Sequence, residues 1–467
     1  MSKDKSPAKL LEEKLIPKPK HAGLLLTSNE LDNSHAFSER YKCFLNAAKT
    51  ERESVKFTVE EAKKHGFVEF TDGLKLQTGM KIYRTNRGKS ALFAVIGKED
   101  ISRGVNLIAA HIDCPRIDLK QHPLYEEREI AYFKTHYYGG IKKYQWTAIP
   151  LSLHGVIIKK DGETIEVNIG ERDDEPCFVI SDLLPHLSGE QNKRTLNEGI
   201  KGEELNLIIG SMPFVDDEIS NKVKLNIANI LFEKYGIVEQ DFVSAELEIV
   251  PAFKARDVGF DRSMVGGYGH DDRVCAYTAF EGILETENPE RTAICILTDK
   301  EETGSDGNTG LKAAYLRYFI ADIADSFGVK YRTVLERTRC LSADVNAAFD
   351  PTFPDVVEKG NASYINYGLV MTKYTGSRGK AGTSDCSAEF IGVVRKLFED
   401  NNILYQTGEL GKVDFGGGGT VAAYLANLGM DVLDIGVPVI SMHSPFELVA
   451  KTDVYETYKG FKAFYNA

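Results

Sequence analysis

Two adjacent carboxylates directly follow an apolar run in this sequence, a pattern that could support metal binding and proton transfer. Residues 293–297 are apolar and rich in branched side chains, which predicts a short buried strand. Glu301 and Glu302 stand in the loop that follows this run. Neighbouring glutamates in a loop after a buried strand can have different roles: one can bind a hard cation while the other transfers a proton. An acidic loop on a solvated edge is the ordinary alternative for these residues taken alone.

Four further positions pair a metal-competent side chain with a predicted element boundary. His111, Asp344 and His443 each follow a run of residues that predicts a strand, and Asp271 precedes a predicted helix over 273–287. Each has an ordinary alternative, because a lone histidine at a strand end is usually structural and an acid at a helix start is usually a cap. Open α/β sheets place ligand sites beyond the carboxyl ends of their strands. We therefore expect these endings to meet at one edge of a sheet.

The candidates form a ligand set of two histidines and three carboxylates: His111, His443, Asp271, Glu302 and Asp344. Imidazole combined with carboxylate suits zinc, cobalt or manganese, and the sequence offers no set of thiolates with zinc-site spacing. Five ligands are too many for one four-coordinate zinc that keeps an open position. They suit two metals about 3.5 Å apart that share one carboxylate and one water.

The candidates lie in five short motifs, which in chain order are His111–Pro115, Asp271–Arg273, Asp299–Ser305, Ser342–Asp344 and Met442–Ser444. This ordered set resembles the motifs of the aspartyl aminopeptidase family, which belongs to a clan of dinuclear zinc peptidases. Each motif is weak by itself, whereas the ordered set is specific, and the resemblance extends over about residues 25–467. The resemblance implies an enzyme that removes N-terminal residues from small peptides.

The resemblance also implies a role for each candidate. The metal ligands that it implies are a bridging carboxylate and two pairs: Asp271, then His111 with Asp344, then Glu302 with His443. Glu301 would be the general base that takes a proton from a water held between two zinc ions, which cobalt or manganese could replace. Asp113 would orient the imidazole of His111 or a neighbouring group. One metal would bind the free α-amine of the substrate, which explains why an aminopeptidase ignores internal peptide bonds.

Two residues that contact the substrate are implied in the same way. His186 resembles a histidine that reaches a substrate carbonyl from a lid, in the same or a neighbouring subunit. Lys373 resembles a substrate-contacting lysine, although the local alignment is ambiguous by one residue. An ordinary loop histidine and a surface lysine are the alternatives for these two positions.

The chain departs from the family pattern just after Asp344. Many members carry histidines there, and this sequence has Ala347 and Asp350 in their place. The ligand itself is intact, so the departure affects the substrate pocket and leaves hydrolysis untouched. A carboxylate at Asp350 near that pocket would repel an acidic N-terminal residue, so the acidic preference that names the family does not follow for this chain.

Composition restricts the class of protein and its surroundings. The formal net charge of −12 argues against nucleic acid or an anionic membrane as a partner. Seven cysteines at scattered spacings predict buried thiols in a reducing compartment. No uncharged stretch approaches the length of a membrane span, and the charged residues 1–5 do not form the apolar core of a signal peptide. We expect a cytoplasmic protein that does not enter membranes.

We predict an α/β fold in which a mixed-sheet zinc-peptidase catalytic domain is interrupted by a mainly β insert. The catalytic domain would comprise residues 1–118 and 253–467, and the insert residues 119–252. Inside the insert, the alternating segments 153–158 and 164–169 flank a Lys-Asp-Gly turn and predict a β-hairpin. The resemblance implies that the insert acts as a dimerisation and lid domain in a homo-oligomer, a tetrahedral dodecamer. A module that only adds stability is the alternative.

Other segments predict local structure around these motifs. Helices are expected over Glu30–Arg52 and Val59–His65, and a polar loop over 188–204. The glycine run 416–419 lacks the Lys-Ser/Thr pair of a P-loop. It therefore predicts a close backbone approach at the floor of the active site, with Thr420 capping the next helix.

Two other classes of function compete with the aminopeptidase. A deacylase or carboxypeptidase of the same clan would use similar ligands, and peptides with blocked and free amines would distinguish it. A catalytically silent shell or cargo protein could keep the fold, and its metal content would distinguish it. The sequence leaves open the preferred N-terminal residue, the native metal and the physiological peptides.

Overall fold

The computed structural model of this protein describes residues 5–16, 18–216 and 218–467. We predict from the charged residues 1–5 that there is no signal peptide, and these residues lie mostly outside the described range. Within them the strands are β1 Val68–Glu69, β2 Lys81–Asn86, β3 Ser90–Val95, β4 Asn106–His111, β5 Arg116–Glu127, β6 Ile130–Tyr138, β7 Leu151–Ile158, β8 Thr164–Ile169, β9 Val179–Ile180, β10 Leu207–Gly210, β11 Ala245–Pro251, β12 Arg256–Val258, β13 Met264–Gly267, β14 Ala293–Thr298, β15 Arg339–Ala343, β16 Asn346–Ala347, β17 Leu369–Thr372, β18 Tyr405–Thr407, β19 Asp431–Gly436, β20 Pro438–Ile440 and β21 Glu447–Ala450. The helices are α1 Pro7–Leu15, α2 Ser28–Ala47, α3 Glu51–Lys64, α4 Lys222–Tyr235, α5 His270–Leu284, α6 Tyr315–Ser326, α7 Tyr331–Glu336, α8 Ala388–Asp400, α9 Ala422–Ala426 and α10 Lys451–Tyr465.

A nine-stranded mixed sheet in the order β1-β2-β3-β14-β4-β15-β19-β17-β18 forms the centre of the molecule. Its middle strands β14, β4, β15 and β19 run parallel to one another. Alternate residues of β4 point to opposite faces, so Ile108 and Ala110 join the core under α2, α5, α8 and α10, while Leu107 and Ala109 join the core under α6, α7 and α9. Both faces are buried, which explains why these strands read as continuous apolar runs.

A second sheet of seven strands, in the order β8-β7-β11-β5-β6-β10-β9, contains residues from the middle of the chain. All of its pairings are antiparallel. It has its own apolar core, which includes Trp146, Phe133 and Leu247, and α4 packs against it. The predicted hairpin corresponds to β7 and β8, and the predicted α/β class is confirmed.

A third sheet of five short strands, in the order β12-β13-β21-β20-β16, lies beside the first. Its strands come from three separate parts of the chain, residues 256–267, 346–347 and 438–450. It therefore brings the segment before α5 next to the segment before α10, and these two segments contribute to the site described below.

One predicted element is wrong. The helix expected over Glu30–Arg52 ends at Ala47. A new helix begins at Glu51 and ends at Lys64, so it contains all of the segment predicted as Val59–His65 except its last residue. Thr50 and Glu53 form a capping box: the Thr50 hydroxyl accepts the Glu53 N–H at 3.2 Å, and the Glu53 carboxylate accepts the Thr50 N–H at 3.1 Å. These bonds satisfy donors that a helix start leaves free, so the chain turns here although its polarity pattern continues.

A buried network joins α3 to the seven-stranded sheet. The imidazole of His154 on β7 lies between two carboxylates, 2.8 Å from Glu53 and 3.0 Å from Glu171. Lys49 also binds Glu171, at 2.7 Å. Burial alone would raise the pKa of Glu171, but its bonds from His154 and Lys49 outweigh burial and lower this pKa to about 2. Burial alone would lower the pKa of His154, but Glu171 and Glu53 outweigh it and raise that pKa.

This network predicts a loss of stability in acid. A carboxylate whose folded-state pKa is depressed stabilises the fold above its unfolded pKa, and that contribution disappears as the pH falls from about 4.5 toward 2. The shift of Glu171 corresponds to about 3 kcal/mol, which partial exposure reduces to roughly half. We therefore expect Glu171→Gln to cost roughly 1–2 kcal/mol at pH 7 and about half as much at pH 3, as measured by urea unfolding. Glu166→Gln, which removes an exposed ion pair in the same sheet, should stay near wild type at both pH values; equal costs for the two variants would contradict this account.

The described residues include no helix that is both long and apolar enough to cross a membrane.

Candidate metal centre

Three of the predicted ligands come from the carboxyl ends of parallel strands that lie next to one another. His111 is the last residue of β4 and pairs with Thr298, the last residue of β14. Glu301 and Glu302 lie in the short turn after β14, and Asp344 directly follows β15. Because β14, β4 and β15 are neighbours, their ends bring these side chains together at one edge of the nine-stranded sheet.

The other two predicted ligands come from the five-stranded sheet. Asp271 follows β13 at the start of α5, with extended dihedral angles φ −80° and ψ 107°. His443 lies between β20 and β21. The expectation that all five endings meet at one edge of a single sheet is therefore wrong: the cluster lies where two sheets meet, because β13 and β21 pair and carry both residues to the ends of β4 and β14.

Asp271 lies between the two imidazoles. Its Oδ1 is 3.2 Å from Nε2 of His111, and its Oδ2 is 3.0 Å from Nε2 of His443. Glu302 Oε1 is 3.6 Å from His443 Nε2, and Asp344 Oδ1 is 3.9 Å from His111 Nε2. One carboxylate thus separates two groups of potential ligands, each with one histidine and one further acid.

Burial and like charges shape the electrostatics of the cluster. Burial raises the pKa of Glu302 and Asp344 well above the usual range, and neighbouring carboxylates add to the effect. Burial also raises the pKa of Glu301 to about 7. For Asp271 burial would do the same, but its bonds to His111 and His443 outweigh burial and lower its pKa. Burial lowers the pKa of His443, but its bond to Asp271 and the charge of Glu302 outweigh this and raise the pKa to about 10.

These side chains fit a divalent metal. The donor atoms of His111, Asp271 and Glu302 lie within 4.8 Å of one another, as do those of His111, Glu301 and Asp344. Glu302 Oε1 is buried and has no hydrogen-bond partner among the residues that the structure describes. A buried carboxylate oxygen without a partner is costly unless a cation compensates it.

Asp113 supports the cluster from behind. Its backbone carbonyl accepts the Nδ1–H of His111 at 2.9 Å, which leaves Nε2 free to face the other ligands. Its carboxylate accepts the backbone N–H of Glu301 at 3.1 Å and of Glu302 at 3.2 Å. The side chain therefore positions both glutamates, while the main chain orients the imidazole.

Glu447 has a comparable place on the opposite side, although it is not among the residues predicted from the sequence. Its fully buried carboxylate accepts the N–H of Asp271 at 3.0 Å and the N–H of His443 at 2.6 Å. A glutamate in a strand after a histidine has no distinctive spacing, so only the pairing of β13 with β21 identifies this contact.

Replacing Glu447 with glutamine should weaken metal binding. The amide group has only one acceptor oxygen, so one of the two backbone N–H groups loses its partner and the ligand on that side shifts. Partners of metal ligands typically contribute about 10–100-fold to metal affinity, and we expect a loss in this range. Competition with a chromophoric zinc chelator measures it. Glu456→Gln is the control, since Glu456 is a buried carboxylate that accepts the Leu404 N–H away from the cluster; equal zinc affinity in both variants would contradict the assigned role.

An open cleft of about 410 Å³ leads to the ligands. Four of the ligands and Glu301 line it, and its walls also include Ala347, Thr372, Thr375, Leu410, Gly417–Gly419, Thr420, Tyr424 and Met442. The glycine run is thus part of the cleft wall, as predicted. The predicted cap is wrong: the helix expected over Val421–Leu428 is α9 Ala422–Ala426, and its N-cap is Val421. The Thr420 hydroxyl accepts the Ala422 N–H at 3.3 Å from one residue before that cap.

The structure does not bring the predicted substrate contacts into this cleft. His186 is an exposed loop residue, and Lys373 pairs with Asp385 at 2.6 Å. Neither lines the cleft within the described part of this chain, so their roles stay predictions. Asp350 was expected near the substrate pocket, but its carboxylate accepts the Thr352 N–H at 2.8 Å and does not line the cleft, whereas Ala347 does.

Comparison with known proteins identifies the family. The sequence model of the M18 family, described as aminopeptidase I zinc metalloprotease, matches residues 44–465. The chain belongs to the M18 family, the aspartyl aminopeptidase family of zinc peptidases. The predicted family and the predicted class of enzyme, a metalloaminopeptidase, are therefore confirmed.

Several M18 relatives extend over nearly the whole chain. A probable M18 family aminopeptidase 1 of Clostridium acetobutylicum is 50% identical over 460 residues, covering 97% of this chain and 99% of its own. The crystal structure of an M18 aminopeptidase from Thermotoga maritima has a TM-score of 0.92 at 45% identity, covering 96% and 99% of the two chains. The S. cerevisiae mApe1 dodecamer shares the fold, with a TM-score of 0.75 at 20% identity, covering 94% and 97%.

Proposed function

We propose that this M18 chain is a two-zinc aminopeptidase that removes N-terminal residues from small peptides, with Glu301 as the general base. The observation that carries the proposal is the Asp271 carboxylate, which lies between two imidazoles with Glu301 beside it. Asp271 would bridge the metals. The remaining ligands would be His111 with Asp344 on one metal, and Glu302 with His443 on the other.

When bound, the zinc ions would lower the pKa of a water from about 16 to about 7, polarise the scissile carbonyl and bind the free α-amine. Glu301 is placed to move the proton. Its Oε2 lies 3.9 Å from Nε2 of His111, and it faces the cleft. Its carboxylate accepts the proton of the attacking water and then delivers it to the leaving nitrogen. Burial raises the pKa of the Glu301 carboxylate above its usual range, which favours the uptake of a proton.

Asp113 and Glu447 act by positioning. Asp113 holds the main chain of Glu301 and Glu302, and Glu447 holds that of Asp271 and His443. The ligands therefore keep their places before a substrate arrives, and little reorganisation accompanies the reaction.

Residues 119–252, which contribute most of the seven-stranded sheet, would act as a dimerisation and lid domain next to a catalytic domain of 1–118 and 253–467. Exposed apolar side chains in this region, among them Leu183, Leu187 and Phe232, suit contacts between subunits. The yeast relative of the same fold is described as a dodecamer, and a tetrahedral dodecamer is the assembly that we propose here. His186 and Lys373 would both contact a substrate in this assembly.

The free cysteines support a location in the cytoplasm. All seven cysteines are free, and five of them are buried. A reducing cytoplasm would keep them so.

The test is hydrolysis of a panel of aminoacyl-p-nitroanilides and free dipeptides, each offered also with an acetylated amine, in the presence of zinc, cobalt or manganese. Cleavage restricted to free amines supports the aminopeptidase and reports the preferred N-terminal residue. Cleavage of the acetylated forms would indicate a deacylase or carboxypeptidase, and no turnover with any metal would overturn the proposal.

A further inference from the structure

A short segment of the seven-stranded sheet extends to the metal centre. β6 ends at Tyr138, which pairs with Arg116, the first residue of β5. β5 begins only three residues after Asp113, so this pairing places the end of β6, with Gly139 and Gly140, next to the ligands. The positions of Tyr138, Gly139 and Gly140 in the sequence do not indicate that they lie beside the ligands.

Tyr138 contacts the residue that positions both glutamates. Its hydroxyl donates a hydrogen bond to Oδ2 of Asp113 at 2.8 Å. The guanidinium of Arg116 lies over its ring, 4.0 Å from the centroid, and Arg116 is itself held by Glu248 at 3.1 Å. The phenol is thus fixed by its ring and by its hydroxyl.

The same Asp113 oxygen also accepts the N–H of Glu302, while its other oxygen accepts that of Glu301. Without the phenol, Oδ2 keeps a single donor, and the carboxylate can rotate away from the two N–H groups. The turn that carries the proposed base and a proposed ligand would then lose part of its support.

The two glycines lie beside Glu302 and His443, the proposed ligands of one metal. The carbonyl of Gly140 is 3.0 Å from Nδ1 of His443 and can only accept, so that nitrogen carries the proton and Nε2 faces Asp271. A Cβ on Gly140 would lie 3.2 Å from that Nδ1. A Cβ on Gly139, whose φ is +72°, would lie 3.2 Å from Oε2 of Glu302.

We infer that Tyr138, Gly139 and Gly140 form a positioning element through which the seven-stranded sheet sets the geometry of Glu301, Glu302 and His443. The inference rests on the proposed two-zinc function. It assigns to this sheet a part in metal binding and catalysis within the same chain, separate from any part in assembly.

Tyr138→Phe tests the element by removing only the hydroxyl. We expect kcat to fall about 10-fold with KM within twofold of wild type, and zinc to bind about 10-fold more weakly in competition with a chromophoric chelator. Tyr132→Phe is the matched control, because Tyr132 lies on the same strand and stacks on Tyr125 at 5.2 Å, away from the ligands. A Tyr138→Phe protein with wild-type kcat and zinc affinity, whatever its melting temperature, would overturn the inference.

Gly140→Ala is the second variant. The added methyl displaces His443, so zinc titration should show one tight site and one site weakened about 10–100-fold. Two unchanged sites in a folded Gly140→Ala protein would also overturn the inference. Zinc affinity is measured without substrate, so the proposed function and the positioning role are tested separately. An inactive wild-type protein would contradict the proposed function. The zinc titrations would still decide whether this segment positions the ligands.

Discussion

Replacing Glu301 with glutamine is expected to lower kcat by about 10²–10⁴ while both metals stay bound. Glutamine has nearly the same shape and still accepts hydrogen bonds, but it cannot take a proton from water or deliver one to a leaving nitrogen. The residue lies at the cleft and its backbone is held by Asp113, so the substitution changes chemistry with little change of structure. Steady-state kinetics on a free-amine p-nitroanilide, with zinc content measured by elemental analysis, would report both quantities.

Two controls separate this effect from others. Glu302→Gln alters a proposed ligand one residue away, and it should lose zinc as well as activity. Glu60→Gln on the exposed surface of α3 should keep both. If Glu301→Gln retained a wild-type kcat, another group would have to be the base; if it lost zinc, Glu301 would be a ligand.

Replacing Asp271 with alanine should remove both metals and reduce hydrolysis to the background. Its two oxygens face different imidazoles at 3.2 and 3.0 Å, so each metal position would lose a ligand at once. Without the proposed zinc ions, a water in the cleft would keep a pKa of about 16, and hydroxide would not be available at neutral pH.

The comparison with His443→Ala tests the bridging role. His443 belongs to one of the two positions, so its loss should leave about one tightly bound zinc per subunit, against none for Asp271→Ala. Zinc per subunit after dialysis, read beside the melting temperature, distinguishes the two. Equal zinc contents in the two variants would show that Asp271 does not serve both metals.

Much of this site could be predicted from local patterns. The strands that end in His111 and Asp344 are buried on both faces and therefore read as apolar runs, and a polar side chain directly after such a run stands out. The acids after β14 stand out for the same reason. The break at Thr50 was also present as a short capping motif, but the polarity of the flanking helices continues through it and concealed it.

The substrate side was less predictable. Asp350 was expected near the pocket because it stands where many family members carry a histidine. The chain turns after Ala347, so the carboxylate closes a local turn at Thr352 and leaves the cleft. Loop residues do not follow the repeating pattern of a helix or strand. The direction in which a loop side chain points depends on contacts that spacing in the sequence does not predict.

The sequence by itself determined the chemical types of the ligands, the strands that end in three of them and the α/β class, because each of these depends on residues close together along the chain. Only the tertiary structure decided that Asp271 and His443 arrive from a second sheet, and that Glu447 and Tyr138 support the ligands from strands far apart in sequence. Those contacts depend on strand pairing between distant segments. The register of such pairing is a property of the packed molecule.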